Sequence, residues 1–464
     1  MAAGGGRAFP LGRRVLARGG LRGAPRRGTP AAAAEADVAV VGAGAAGLTA
    51  ALFAAAELGP RGRVTLLERE REGGKKILMS GGSRCNVLPS SCVPDQDFFT
   101  SSSQQHLKNI LKSWSVERCR EWLAGDPGEG GAGLGLRLEL ERESEKWFPA
   151  SDSAREVRDA LVAACERRGV EFQYLSSVEG LERGESGAWL CQGKRGETVQ
   201  ASAIVIASGG LSFPKVGTDG TGHRLLEGLG HSMHGPYPAL TPLLGAHPGL
   251  QNLAGVSHRV SVRVAAAPKN RRGKKAKGPS SFRPGFVFTH KGFSGPAILD
   301  VSHTAVLALE AGEEPDLRVN WAPELERAEI EALFRPSGKR TALAALKTCL
   351  PGRLAKALIE ESGVPADRSL SELRKVERLA LIAAISDFRL SCGGHAGYRM
   401  AEVTGGGVPL DEVNFRTLES GIAPSLFLCG EVLDVFGRIG GFNFLWAWTS
   451  GRLAGISAAK SVAS

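Results

Sequence analysis

Gly42-Ala43-Gly44-Ala45-Ala46-Gly47 spells G-x-G-x-x-G, and its flanks leave few folds open. Asp37-Val38-Ala39-Val40-Val41 is an apolar run of the length of one buried parallel strand. Leu48 to Leu58 is Ala-rich and free of Gly and Pro, and predicts a helix. Arg63-Val64-Thr65-Leu66-Leu67-Glu68 predicts a second strand that ends in an acid. With 62 glycines in 464 residues, the six-residue pattern alone could arise by chance. In this context it predicts a dinucleotide-binding βαβ unit and an α/β fold with a parallel sheet.

Each position has a physical task in that unit. Gly42 permits the tight turn, Gly44 lets a pyrophosphate approach the backbone, and Gly47 lets helix and sheet pack closely. The helix start at Ala45 and Ala46 offers unpaired N–H groups and a positive dipole end to phosphate. Glu68 lies 21 residues after Gly47, close to the spacing at which a carboxylate accepts from ribose hydroxyls.

A second glycine-rich loop follows, Gly73-Gly74-Lys75-Lys76-Ile77-Leu78-Met79-Ser80-Gly81-Gly82-Ser83-Arg84-Cys85-Asn86. It resembles the K-hydrophobic-x-x-S-G-G-G-R-C-N signature of the BaiN-like, YhiN-like or aminoacetone-oxidase-type FAD-binding flavoproteins, with Ser83 in place of the third glycine. Further blocks resemble that family in family order. Ser208-Gly209-Gly210, after the buried strand Ala203–Ala207, stands where such flavoproteins carry an A-T-G-G turn. Leu211 to His223 is similar to the family's S-Y/F-P-x-x-G segment. Thr289-His290-Lys291-Gly292-Phe293-Ser294-Gly295-Pro296 matches F-T-H-x-G-x-S-G-P. Gly430-Glu431-Val432-Leu433-Asp434, then Gly440-Gly441-Phe442-Asn443 and a helix to Ala454, are close to the family's carboxy-terminal pattern. Phe436-Gly437-Arg438 replaces a usually acidic tract, and Leu445 stands where Gln is common. The resemblance spans roughly residues 37–455.

The resemblance implies a Rossmann-like FAD-binding domain of the two-dinucleotide-binding flavoprotein type, with an inserted β-barrel-plus-helical domain. The expected division is a leader over 1–36, the first part of the FAD domain over 37–215, the insert over 216–399 and the carboxy-terminal part over 400–464. Within the insert, short alternating segments predict a β part at about 238–320, and helical texture predicts a helical part at about 324–379. Implied FAD contacts are Gly42, Gly44, Ala45, Ala46, Gly47, Glu68, Arg69, Lys76, Ser80, Gly81, Arg84, Cys85, Asn86, Val178, Ser208, Gly209, Gly210, Gly430, Glu431, Gly440, Gly441, Phe442 and Asn443. In this class the acid after the last strand holds the ribityl hydroxyls, and the next helix points its N-terminus at the flavin.

The expected activity is an FAD-dependent oxidoreductase acting on a small-molecule substrate, the flavin carrying the chemistry. No side chain declares itself a catalytic base; Cys85 and His290, with Lys291 beside it, are the candidates. Cys85 has no partner in a C-x-x-C, which argues against a catalytic disulfide. NAD(P)H remains open as donor, without a dedicated domain, because no second strand–G-x-G-x-x-G–helix unit occurs. The alternative is a flavoprotein with a binding role, in which the basic loop 269–277 meets RNA or an acidic partner and FAD is structural.

Charge and cysteine usage weigh on these readings. The formal net charge is +10, of which residues 1–36 supply +6 and the run 269–277 supplies six cations, so the remainder sums to −2. The fold is therefore not broadly basic. The run 269–277 lacks interleaved aromatics and reads as a solvated loop, so a nucleic-acid partner is not expected. The eight cysteines are scattered and predict reduced thiols without a zinc site. His231 and His234 read as structural. No stretch reaches the roughly 18 uncharged apolar residues of a membrane span. The leader holds seven arginines and one acid, Glu35, and reads as a transit peptide to an organellar matrix, mitochondrion or chloroplast stroma, or as a disordered leader of a cytoplasmic protein.

Overall fold

The computed structural model describes residues 34–127, 133–250, 252–264 and 280–463. Residues 1–33 of the leader and the basic run 269–277 lie outside them.

The first strand, β1, is Ala34–Val41, three residues longer than the apolar run predicts. Ala34 to Ala36 belong to it because they continue the parallel ladder to Val199–Ala201. Helix α1 is Ala45–Leu58 and strand β2 is Val64–Glu68. Val38, Ala39 and Val40 have no exposed surface, as expected of a strand covered on both faces.

The central sheet is ordered 171–174, β2, β1, 198–206, and the strand Thr198–Ile206 then forks. Its first half pairs antiparallel with Trp189–Gly193, and its last residues, Ile204 to Ile206, pair parallel with Leu426–Leu428. The carboxy-terminal strand thus returns to the first fold after the insert. Four parallel strands end side by side, at Val41, Glu68, Ile206 and Leu428. In open α/β sheets, ligands bind outside such carboxyl ends.

The last helix, Phe442–Ala463, runs on past the predicted end at Ala454 and packs along α1. A Cβ at Gly451 would stand 2.4 Å from the Ala46 carbonyl oxygen, and one at Gly455 2.2 Å from that of Ala50. Only glycine admits this approach, and it explains why α1 is built of alanines. Two further helices, Gln104–Lys112 and Val116–Ala124, start at Ser103 and Ser115, which cap them with their side chains.

The chain leaves the first domain through His234–Ala239 and returns through Val403–Gly407; these pair antiparallel as a two-stranded ribbon. Beyond the ribbon lies a seven-stranded antiparallel sheet with its own core, including Phe286, Phe288, Phe293 and Trp321. The helices Gly352–Glu361 and Lys375–Ser386 add Leu358 and Leu381 to that core. Residues 216–231, expected in the insert, stay with the first domain: helix Thr221–Gly228 places Leu226 in the central core. Among the described residues, no helix is long and apolar enough to cross a membrane.

Candidate functional site

A cleft of about 480 Å³ runs along the carboxyl ends of the parallel strands, within the range of cofactor sites. It is lined at one end by Glu68 and Arg69, then by Gly42 to Ala46, in the middle by Lys76 and Glu431, and at the far end by Gly440, Gly441 and Asn443. The amino-terminal turn and the carboxy-terminal turn therefore share one continuous wall.

At the first end, the Ala43 N–H donates to Glu68 Oε2 at 2.8 Å and the Glu70 N–H to Oε1 at 2.9 Å. Each carboxylate oxygen keeps accepting capacity toward the cleft. Burial pushes the Glu68 carboxyl above its ordinary range, against the two N–H bonds that stabilise its charge. Arg69 reaches across to Asp219 at 2.6 Å and to the Gly217 carbonyl oxygen at 3.3 Å, tying the 217–219 loop over this end.

The glycine turn tests whether an FAD fits. A Cβ at Gly42 would stand 2.7 Å from the Ala207 carbonyl oxygen, and one at Gly47 1.8 Å from that of Gly42. The fold itself demands those two glycines. A Cβ at Gly44 would meet nothing within 4 Å, and its φ of −76° suits any residue. Gly44 is thus bare for the sake of what lies in the cleft, at the N-cap of α1, where no side chain caps the helix and no acid occupies its first turn. That is a seat for a pyrophosphate.

In the middle, Lys76 Nζ sits 2.7 Å from Glu431 Oε2 and donates to Ser212 Oγ at 2.7 Å. Glu431 Oε1 accepts from the Thr404 N–H at 2.8 Å and from Ser212 Oγ at 2.9 Å. Burial alone would push the Glu431 carboxyl up, but Lys76 and these hydrogen bonds hold it below the ordinary carboxylate range. Glu431 therefore presents a fixed acceptor to the cleft. At the far end, Asn443 clamps the Gly437 backbone, accepting its N–H and donating to its carbonyl oxygen, both at 2.8 Å. This pins the start of the last helix beside the cleft.

Most residues expected to hold FAD line this cleft: Gly42, Gly44, Ala45, Ala46, Glu68, Arg69, Lys76, Ser80, Gly81, Arg84, Asn86, Val178, Ser208, Gly209, Gly430, Glu431, Gly440, Gly441 and Asn443. Gly47, Gly210 and Phe442 stand behind the wall and shape it. A Cβ at Gly210 would strike Thr404 Oγ1 at 2.4 Å, and Phe442 packs edge-on against Phe98.

Two expectations need correction. Cys85 is fully buried and does not line the cleft; burial pushes its thiol up to about 12, so it is not an exposed nucleophile. All eight cysteines are free. His290 and Lys291 form an exposed turn between Ser280–Thr289 and Gly292–Ser294, away from the cleft lining. The Arg84 guanidinium is committed to Asp152 at 2.8 Å and Glu141 at 3.1 Å and lies over the Phe148 ring, so its charge is already answered by protein. His231, hydrogen-bonded to Glu412 and Ser420, and His234, hydrogen-bonded to Asp434, hold segments together; among the described residues no cluster could bind a metal.

The cleft also recruits residues that no motif announces: Lys146, Phe148, Leu240 and Glu402. Glu402 faces the solvent of the cleft, yet protein walls enclose it, and that desolvation raises its carboxyl above the ordinary range. Its position next to the ribbon strand Val403–Gly407 follows only from how the insert is hung.

A family model described as the HI0933-like protein Rossmann domain matches residues 36–457. The chain is similar to a ribosomal RNA dihydrouridine synthase of Escherichia coli (strain K12), 33% identical over 418 residues, which are 89% of this chain and 96% of that one. It is similar to a 3-dehydro-bile acid delta(4,6)-reductase of Clostridium scindens, 30% identical over 436 residues, 91% of this chain and 99% of the other. A ribosomal RNA dihydrouridine synthase of Haemophilus influenzae is 30% identical over 434 residues, 91% of this chain and 98% of its own length. The match extends from the first strand to the last helix, over both halves of the cleft, and the chain belongs to the HI0933-like Rossmann family of FAD-dependent oxidoreductases.

Proposed function

We propose that this protein is an FAD-dependent reductase of a carbon–carbon double bond conjugated with a carbonyl, and that its substrate is a uracil ring in ribosomal RNA. The observation that carries the reading is the continuous cleft lined by both Glu68 and Gly441 and bare of side chain at Gly44. The substrate class is argued from relatives. Dihydrouridine is uridine with two hydrogens added across such a bond, and a delta(4,6)-reductase of a 3-dehydro compound works on the same kind of conjugated system. Both relatives span nearly their whole length in the comparison, so the likeness includes the insert. The RNA form is favoured because two relatives carry that name, one of them at 33% identity.

A bound FAD supplies the two-electron chemistry. The N-terminus of α1 would hold the pyrophosphate, and Glu68 would accept from the adenosine ribose. Glu431, kept ionised by Lys76, accepts from the hydroxyls of the linking chain. Phe148 and Leu240 exclude water from the cleft wall. The donor is NAD(P)H, entering the same cleft because the sequence has no second dinucleotide unit. The six cations of 269–277 would meet RNA phosphates, which revises the weight that composition alone gave that run. The Arg-rich leader supports an organellar matrix address, where ribosomal RNA is also present.

The test uses purified FAD-loaded protein, NADPH or NADH, and ribosomal RNA from cells lacking the protein. Mass spectrometry of nucleosides should show new dihydrouridine at one position. RNA left unchanged, with a 3-oxo-4,6-diene steroid reduced in parallel, would replace the RNA reading by the steroid one.

A further inference from the structure

The cleft carries a cation that nothing described so far uses. Lys146 opens the strand Lys146–Pro149 of a hairpin with Leu138–Glu141 and faces Glu141 across the ladder. Its side chain lines the cleft at the Gly440 end, where a Cβ on Gly440 would lie 3.6 Å from Lys146 Cε. The same hairpin pairs with Leu88–Pro89, against which the neighbouring turn is pressed: a Cβ on Gly441 would stand 2.5 Å from the Leu88 carbonyl carbon. The position of Lys146 beside the start of the last helix is therefore set by backbone contacts and is not a surface accident.

The acids near Lys146 have other partners. Glu141 is paired with Arg84 at 3.1 Å, and Asp300 Oδ1 accepts the Ile439 N–H at 2.8 Å. Among the described residues, no carboxylate forms an ion pair with the Lys146 ammonium. The side chain is half-buried, and desolvation pulls its ammonium below the ordinary lysine range, with Glu141 and Asp300 opposing from a distance. A cation so placed acts on whatever enters that end of the cleft through a low dielectric.

What enters follows from the rest of the site. A pyrophosphate at Gly44 and a ribose at Glu68 fix the adenosine half at the first end. The isoalloxazine of a bound FAD would then occupy the stretch between Glu431 and Gly441. We infer that Lys146 is the charge partner of the flavin ring, set beside the last helix so that it stabilises the negative charge a reduced ring carries. The helix start and the ammonium act with the same sign there. The inference rests on FAD being the cofactor and is independent of which substrate is reduced.

The test is a dye-coupled reduction of the FAD-loaded full chain, with no substrate present, for wild type, Lys146→Met, Lys146→Gln and Lys146→Arg. At the wild-type midpoint, Lys146→Met and Lys146→Gln should raise the oxidised-to-reduced ratio about tenfold, a shift of about 30 mV to more negative potential for two electrons. Lys146→Arg, which keeps the charge, should titrate with wild type. Either neutral variant titrating with wild type at full flavin content overturns the inference: the lysine then only lays its stem on Gly440 and its ammonium in bulk water. Loss of flavin from both neutral variants, with Lys146→Arg retaining it, supports a charge contact to the ring, whereas equal loss from Lys146→Arg overturns it. Failure to reduce ribosomal RNA would leave this result standing, since the titration involves none.

Discussion

Lys76 and Glu431 meet at 2.7 Å although 355 positions separate them, and the pair closes the middle of the cofactor cleft. One comes from the short helix Lys75–Met79 after the first βαβ unit, the other from the turn after the last strand of the same sheet. With side chains 30% and 18% exposed, the pair lies between a surface bridge and a buried one. Lys76→Met should therefore destabilise the fold by about 1–3 kcal/mol, less than the loss for a fully buried pair. The double variant Lys76→Met/Glu431→Gln should recover part of that loss, read as a non-additive term in denaturant melts of the four proteins.

The same pair sets an acid limit. Glu431 titrates lower in the folded protein than its ordinary 4.5. The unfolded chain therefore binds the proton more readily, and the stabilisation is complete above pH 4.5 and fades as pH falls through the lower folded value. Glu431→Gln should flatten this part of the stability profile. Wild type and variant losing stability in parallel below pH 4.5 would mean that the carboxylate is not responsible.

Gly44 and Gly47 should fail in different ways. Gly44→Val leaves the apo fold intact, because a Cβ there meets no atom within 4 Å, but it should abolish flavin retention. Gly47→Ala forces a Cβ to 1.8 Å from the Gly42 carbonyl oxygen and should lower the melting point of the apo protein itself. The ratio of flavin to protein absorbance, set beside apo melting curves, separates the two. A Gly44→Val protein that elutes with full flavin would show that the turn is not the phosphate seat.

Helix packing offers an independent check on the architecture. Gly455→Leu drives a side chain into α1 where even a Cβ comes within 2.2 Å of the Ala50 carbonyl oxygen. The expected cost is about 1–3 kcal/mol, or more if the helices cannot part. A melting point equal to wild type would place the last helix elsewhere.

Cys85 should behave as a spectator in redox chemistry. Its thiol, pushed up to about 12 by burial, stays protonated at neutral pH. Iodoacetamide at pH 8 should leave Cys85 unlabelled in the folded protein and label it after denaturation, as peptide mapping would record. Cys85→Ala should keep the rate of flavin reduction by NAD(P)H. Rapid labelling of the native protein, or a lost reduction rate with flavin retained, would restore Cys85 as a candidate.

The βαβ unit was legible because its signals are local. A buried parallel strand needs a continuous apolar run, a tight turn needs Gly42, and an acid at the end of β2 has a fixed distance from the turn. The carboxy-terminal turn was legible for the same reason, and the family's blocks placed both on one cofactor. Motif position misjudged Cys85 and His290, since neighbours in sequence say nothing about which side of a wall a side chain faces. Cys85, with φ at 61°, turns into the core while Arg84 and Asn86 face the cleft.

By itself, then, the sequence determined that a dinucleotide would lie across a parallel sheet and which two turns would bracket it. Only the tertiary structure decided that Lys76 answers Glu431, that Arg84 is already neutralised, and that Lys146 stands without an ion-pair partner among the described residues at the far end. The reason is physical. Periodicity and turn chemistry act over a few residues along the chain, whereas charge pairing and burial depend on distances through space between strands and loops that may be hundreds of residues apart.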